Sequence, residues 1–215
     1  MKGGVAVKRI YSAFLVFCLA TFLVFSAVST APAAQAGPFY VGVFGGYVMP
    51  NDLKIEDDGG SEDVKLKNSW AIGAKVGYIF PQVKWLATEL EYFYLGKQDV
   101  DQAGESGDSS AHNVMANLLV RYPEGMIHPY AGIGIGWSWG KFSGTEFGVG
   151  SVDESGNGFA WQILAGLNFE ITQNWSADLA YRYFRSKYKD VGSDPDKEDV
   201  TSKNHMVLLG INYHF

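Results

Sequence analysis

Lys75, Glu89, Glu91, Arg121 and Arg182 stand in stretches otherwise built of apolar, aromatic and glycine residues. Opposite charges drawn into one enclosed space must pair, because an isolated buried ion is costly. Such a set has two uses, as a static ionic core or as a polar path for ions. Nucleophilic catalysis needs a different set. His112, His128, His205 and His214 are the imidazoles of the chain, and none is set with a serine and a carboxylate in a pattern that reads as nucleophile and base. The string Gly-Ile-Gly-Ile-Gly at 132–136 fails as a dinucleotide fingerprint. The third glycine would fall at 137, which is Trp137, and no helix follows. Acidic residues gather in two polar segments, Asp57, Asp58, Glu62 and Asp63 in one, and Asp190, Asp194, Asp196, Glu198 and Asp199 in the other. The run Asp-Pro-Asp-Lys-Glu-Asp lacks the turn glycine and distal glutamate of a calcium loop, so no metal or cofactor is expected.

The elements that must position these residues are strands. From Phe39 onward, runs of ten to thirteen residues alternate apolar and polar with period 2, separated by segments rich in Gly, Asp, Ser and Asn. Eight such runs fall at about 39–49, 69–80, 85–96, 112–122, 129–140, 158–171, 175–186 and 204–215. No helical period intervenes, which predicts an antiparallel meander. Connections at 50–68, 97–111, 141–157 and 187–203 are long and polar, whereas 81–84, 123–128 and 172–174 are short.

One face of these strands holds Val41, Ile72, Leu90, Leu118, Ile133, Ile163, Leu179 and Leu209, and between the aromatics at its two ends no charged residue shares it. The other face holds Lys75, Glu89, Glu91, Arg121, Glu170, Asp178 and Arg182. Aromatics mark both ends of the apolar stripe: Phe39, Phe80, Tyr122, Trp175 and Phe215 toward the short turns, and Tyr47, Trp70, Trp137, Trp139, Phe159, Trp161 and Tyr183 toward the long connections. A face without charge, bounded by two aromatic girdles, suits lipid rather than water. Lipid offers no hydrogen bonds, so the sheet must close without an edge. The expected fold is all-β, an eight-stranded antiparallel up-and-down transmembrane barrel. Mean hydropathy near zero excludes a polytopic helical membrane protein.

Residues 1–36 read as a cleaved signal peptide, with Lys2, Lys8 and Arg9, an apolar run from Ile10 to Val28, and an Ala34-Gln35-Ala36 cleavage site. The barrel domain is then 37–215. Cys18 lies inside the signal segment, so the mature chain has no thiol. Removing three of the 17 bases leaves 14 against 23 acids, a charge of −9, and nucleic acid is not an expected partner.

The pieces FYVGVFGGY at 39–47, IGAKVGY at 72–78, NVMANLLVRY at 113–122, HPYAGIGIG at 128–136, AYRYF at 180–184 and LLGINYHF at 208–215 together resemble the eight-stranded outer-membrane barrels of the outer membrane protein A and opacity-protein type. The resemblance covers essentially all of 39–215. It implies long loops outside the cell, termini in the periplasm, and a C-terminal pattern of Leu209, Ile211, Tyr213 and Phe215 read by the barrel-assembly machinery. Outer-membrane lipid and lipopolysaccharide are the expected surroundings, and the acidic loops are read as solvated beside the divalent ions of that surface.

A barrel of this size is filled by its own side chains. Inward glycines such as Gly73 and Gly77 are expected to make room for Tyr40, Phe44 and Phe184. Register from the turn at 81–84 puts Lys75 opposite Glu89 or Glu91, with Arg182 facing them across the lumen, and Arg121 joins this interior group. The expected function is that of a non-enzymatic outer-membrane protein with an interaction or structural role. A narrow channel is the alternative, and a lipid A-modifying enzyme the third reading.

Overall fold

The computed structural model describes residues 38–51, 53–57, 60–64, 67–99, 106–146, 149–191 and 198–215; the signal segment, with Ala34 and Ala36, lies outside them. Ten strands follow in chain order: β1 Phe39–Pro50, β2 Leu53–Asp57, β3 Gly60–Val64, β4 Ser69–Ile79, β5 Leu86–Asp99, β6 Ser106–Arg121, β7 Ile127–Glu146, β8 Val149–Glu170, β9 Trp175–Val191 and β10 Glu198–His214. Strand β1 and strands β4 to β10 each pair antiparallel with their neighbours, and β1 pairs with β10 from Tyr40–His214 to Pro50–Asn204. Closure of these eight strands leaves the wall no free edge, as lipid requires.

Alternation sorts the side chains. Along β1, Tyr40, Phe44 and Val48 are buried inside while Phe39, Val41, Val43 and Tyr47 face out. The uncharged face is the outer one: Ile72, Leu90, Leu118, Ile133, Ile163 and Leu209 are all exposed. Its girdles sit where the aromatic pattern puts them. On β9 the stretch from Trp175 to Tyr183 spans roughly 20 Å along the membrane normal, given ~3.4 Å per residue and a tilt near ~40°.

Two features differ from the sequence expectation. The segments expected as long polar loops are largely strand: β7 and β8 stay in register up to Gly144–Val152 and meet again at Glu146–Val149, and β9, β10, β5 and β6 also extend past the girdle. Above the bilayer the outward face no longer has to be apolar, so the hydrophobic alternation fades while backbone pairing continues. The first long connection contains the β2–β3 hairpin, whose β2 pairs with β10 at Asp199–Glu56, Val200–Ile55 and Thr201–Lys54. Strand β1 pairs with β10 only as far as Asn204, so the hairpin takes over the edge that β1 leaves. This gain is also one of backbone hydrogen bonds, invisible to side-chain periodicity.

Candidate functional site

The lumen is filled in layers, and its glycines fix where the bulky chains go. A Cβ at Gly77 would overlap the Tyr40 ring, and one at Gly73 would overlap Phe44 Cζ and Phe93 Cβ. Glycine on β4 thus makes the space that the aromatics of β1 and β5 occupy.

The ionic layer lies in the lower half, toward the short turns. Register makes Lys75 the Cα partner of Glu91, but its ammonium turns instead to Glu89 Oε1 at 2.9 Å and to Asp178 Oδ2 at 2.7 Å. Each carboxylate is also capped by a phenol: Tyr40 donates to Glu89 at 2.7 Å and Tyr130 to Asp178 at 2.9 Å. One ammonium, two carboxylates and two hydroxyls from five strands therefore form a continuous chain across the lower lumen. Just above it, Arg182 Nη2 donates to Glu91 Oε2 at 2.9 Å. Gln162 Nε2 donates to Glu91 Oε1 at 2.5 Å and to Asn117 Oδ1 at 2.7 Å. The Nε and Nη1 of Arg182 have no hydrogen-bond acceptor among the described residues. Their compensation is aromatic: the guanidinium stands 5.2 Å from the Phe44 centroid and 5.1 Å from that of Phe93.

Above the ions comes an apolar layer of Phe93, Phe184, Met115 and Met206, each without solvent exposure. Higher still, Ser138 Oγ donates to Asn113 at 2.6 Å and receives the Tyr188 hydroxyl at 2.6 Å, while Gln98 donates to Asn204 at 2.8 Å. Below the ionic chain, Tyr40, Arg121, Asn168 and Asn212 help line a cavity of about 30 Å³, space for about one water.

Lys75, Glu89, Glu91 and Arg182 thus stand in two adjacent ion-paired groups of one lumen, and the arrangement differs from the expected cluster at two residues. Asp178, an inward charge outside the expected cluster, is the second anion of Lys75, because β9 lies across the lumen and strand-to-strand counting sees only adjacent strands. Arg121 forms no ion pair with the cluster among the described residues; it sits one layer lower, at the cavity rim.

His128 is buried, with Nδ1 bonded to Tyr122 O at 2.9 Å and Nε2 to Glu170 Oε1 at 2.8 Å. Ser176 Oγ and His214 Nε2 share a hydrogen bond of 2.9 Å, a serine–histidine contact that a search along single strands misses. Ser176 accepts from Asn168 and Asn212 and is fully buried. Ser110 precedes His112 by two residues on β6, but His112 Nδ1 is held by the outward Tyr92 hydroxyl at 2.7 Å. Among the described residues no group of three His, Cys, Asp or Glu is placed to hold a metal. The side chains of the acidic segments, including Asp57, Asp58, Glu62, Asp63, Asp190, Asp194, Asp196, Glu198 and Asp199, lie outside the description.

At the C-terminus Leu209, Ile211 and Phe215 are exposed outward. The Tyr213 ring lies between Trp175 and Phe215, at 5.0 and 5.1 Å. Phe215 N donates to Phe39 O at 3.0 Å, tying the last residue to the first of the barrel.

The pattern of the outer membrane protein beta-barrel domain matches residues 19–215. An uncharacterized protein of Brucella abortus (strain 2308) is 25% identical over 209 residues, 75% of this chain and 74% of its own, and one of Brucella suis biovar 1 matches equally. Among solved structures, Neisserial surface protein A superposes with TM-score 0.55 at 18% identity, over 84% of this chain and 99% of that one. The outer membrane protein OprG from Pseudomonas aeruginosa gives TM-score 0.55 at 15% identity, over 85% and 98%.

Proposed function

This chain belongs to the outer membrane protein beta-barrel domain family, and from that premise we propose that it is a non-enzymatic, non-conducting barrel whose extended hairpins present an interaction surface outside the cell. It is an outer-membrane protein that crosses the bilayer by its strands. The observation that carries the proposal is the doubly blocked lumen, an ionic layer of Lys75, Glu89, Asp178, Glu91 and Arg182 beneath an apolar layer of Phe93, Phe184, Met115 and Met206. A water-filled path would leave such side chains partly solvated. Instead each of these five ions has a partner and the phenylalanines touch edge to face, with Phe93 and Phe184 centroids 5.3 Å apart.

Several parts of this reading extend it. Residues 1–36 act as the export signal, cut after Ala36. The pattern Leu209, Ile211, Tyr213 and Phe215 is read by the barrel-assembly machinery. Catalysis has no support from the Ser176–His214 contact, since its serine is fully buried and already accepts two amides. The test is planar-bilayer recording of residues 37–215 refolded from detergent: a silent membrane is expected. Steady current from the wild type would move the narrow-channel reading ahead.

A further inference from the structure

Strands β8, β9 and β10 carry a row of outward residues at the level of the loop-side girdle. Register sets Trp161 beside Arg185 and Arg185 beside Lys203, in one rung across three strands. One rung down are Ile163, Tyr183 and His205. Their rings pack, Trp161–Tyr183 at 5.5 Å and Tyr183–His205 at 5.1 Å between centroids. Asn51 Nδ2 and His205 Nε2 share a hydrogen bond of 3.2 Å.

Arg185 and Lys203 are therefore like charges directly opposite on neighbouring strands, an arrangement that destabilises a sheet when nothing lies between them. Neither makes an ion pair among the described residues. Elsewhere the same rim shows the neutralised alternative: Lys97 is held by Asp108 at 2.9 Å, and the pairing raises the lysine pKa. The height is equally specific. Aromatic belts sit at headgroup level, and the two cations stand within this one, level with Trp161 and one rung above Tyr183, on the outward face.

We propose that Arg185 and Lys203 form a binding site for the phosphate groups of an anionic glycolipid in the outer leaflet, with Trp161 and Tyr183 packing against the lipid below the phosphate. The planar guanidinium offers paired donors and the ammonium a point charge, and a phosphate between them turns the repulsion into attraction. The proposal rests on the reading above that the long hairpins lie outside the cell, since only then does this rim meet the outer leaflet.

The full barrel, refolded in zwitterionic detergent, is tested by native mass spectrometry with diphosphoryl lipid A, with lipid A stripped of both phosphates, and with inorganic phosphate as competitor. Refolding is read separately from the shift between unboiled and boiled samples on a gel, so failure of the barrel reading shows there first. Retention of diphosphoryl lipid A is expected to fall about 25-fold in the double variant Arg185→Gln, Lys203→Gln, from about fivefold per cation. Lys97→Gln should keep wild-type retention. Without lipid, the double variant should melt at or above the wild type, because repulsion is relieved. With diphosphoryl lipid A, only the wild type should gain heat resistance. If the double variant folds poorly, Lys203→Gln alone should lose about fivefold. Equal retention by wild type and double variant overturns the site. Equal retention of the dephosphorylated lipid makes the contact apolar only, and complete displacement by inorganic phosphate makes it a free-anion site; either also overturns the proposal.

Discussion

Arg182 shows what a single side chain must satisfy inside a closed barrel. Its charge meets one carboxylate oxygen of Glu91, and its remaining edges face Phe44 and Phe93 rather than acceptors. Removing Glu91 leaves that cation against two rings, with no carboxylate in contact. We expect Glu91→Ala to cost about 3 kcal/mol, the low end for a buried pair broken on one side, because the ring faces persist. Glu91→Gln should cost less, since it keeps an oxygen for Arg182. Denaturant unfolding of the refolded barrel checks both, and equal losses would mean that charge is irrelevant at this position. The five residues of the expected cluster were partly legible in the sequence. Lys75, Glu89, Glu91 and Arg182 each alternate onto the inward face, and that alternation is a property of one strand. Asp178 alternates inward as well, yet its pairing with Lys75 depends on the curvature that brings β9 across the lumen from β4, and no local pattern encodes that distance.

At the scale of strands, the outward faces were read almost completely and the strand ends were not. Leu209 lies at mid-height of β10 with 67% exposure, and the absence of charge along its face made that orientation visible. Leu209→Arg should therefore cost about 2 to 4 kcal/mol in a lipid-embedded barrel, against little for the same change at Gly59 in the first connection. Folding titrations into lipid vesicles measure the difference, and comparable tolerance at both positions would contradict the assignment of faces. The upper parts of β7 and β8 escaped the sequence reading because water accepts any side chain there, and pairing from Lys141–Ser155 to Gly144–Val152 leaves no hydrophobic trace. The same reasoning makes that hairpin dispensable for the wall. Replacing 142–154 with a short turn should leave the heat-dependent gel shift intact, since every rung from Ile127–Phe169 to Lys141's neighbour Gly140–Gly156 remains paired. Loss of the shift would show instead that the protruding hairpin nucleates closure.

For the whole molecule, the lumen is blocked twice in series, and this changes what breaking the ionic layer should do. Arg182→Ala removes a guanidinium and frees Glu91, opening room for water around Lys75, Glu89 and Asp178. The path then still ends at Phe93, Phe184, Met115 and Met206, which leave no gap for solvent. Phe93→Ala removes the largest part of that apolar layer, at about 3 to 5 kcal/mol if the cavity stays dry, but the ion pairs beneath it remain closed. Two resistances in series conduct only when both are lowered. Each single variant should therefore stay silent in planar bilayers, whereas Arg182→Ala combined with Phe93→Ala should show small, frequent current steps. The two residues are in contact, 5.1 Å from guanidinium to ring centroid, so their stability losses should not add. The unboiled gel band is the control that the double variant has closed. Current from Arg182→Ala alone would mean that the apolar layer is no barrier and that the ion pairs are the gate. Silence from a correctly folded double variant would mean that the upper layer of Asn113, Ser138 and Tyr188 seals the lumen by itself.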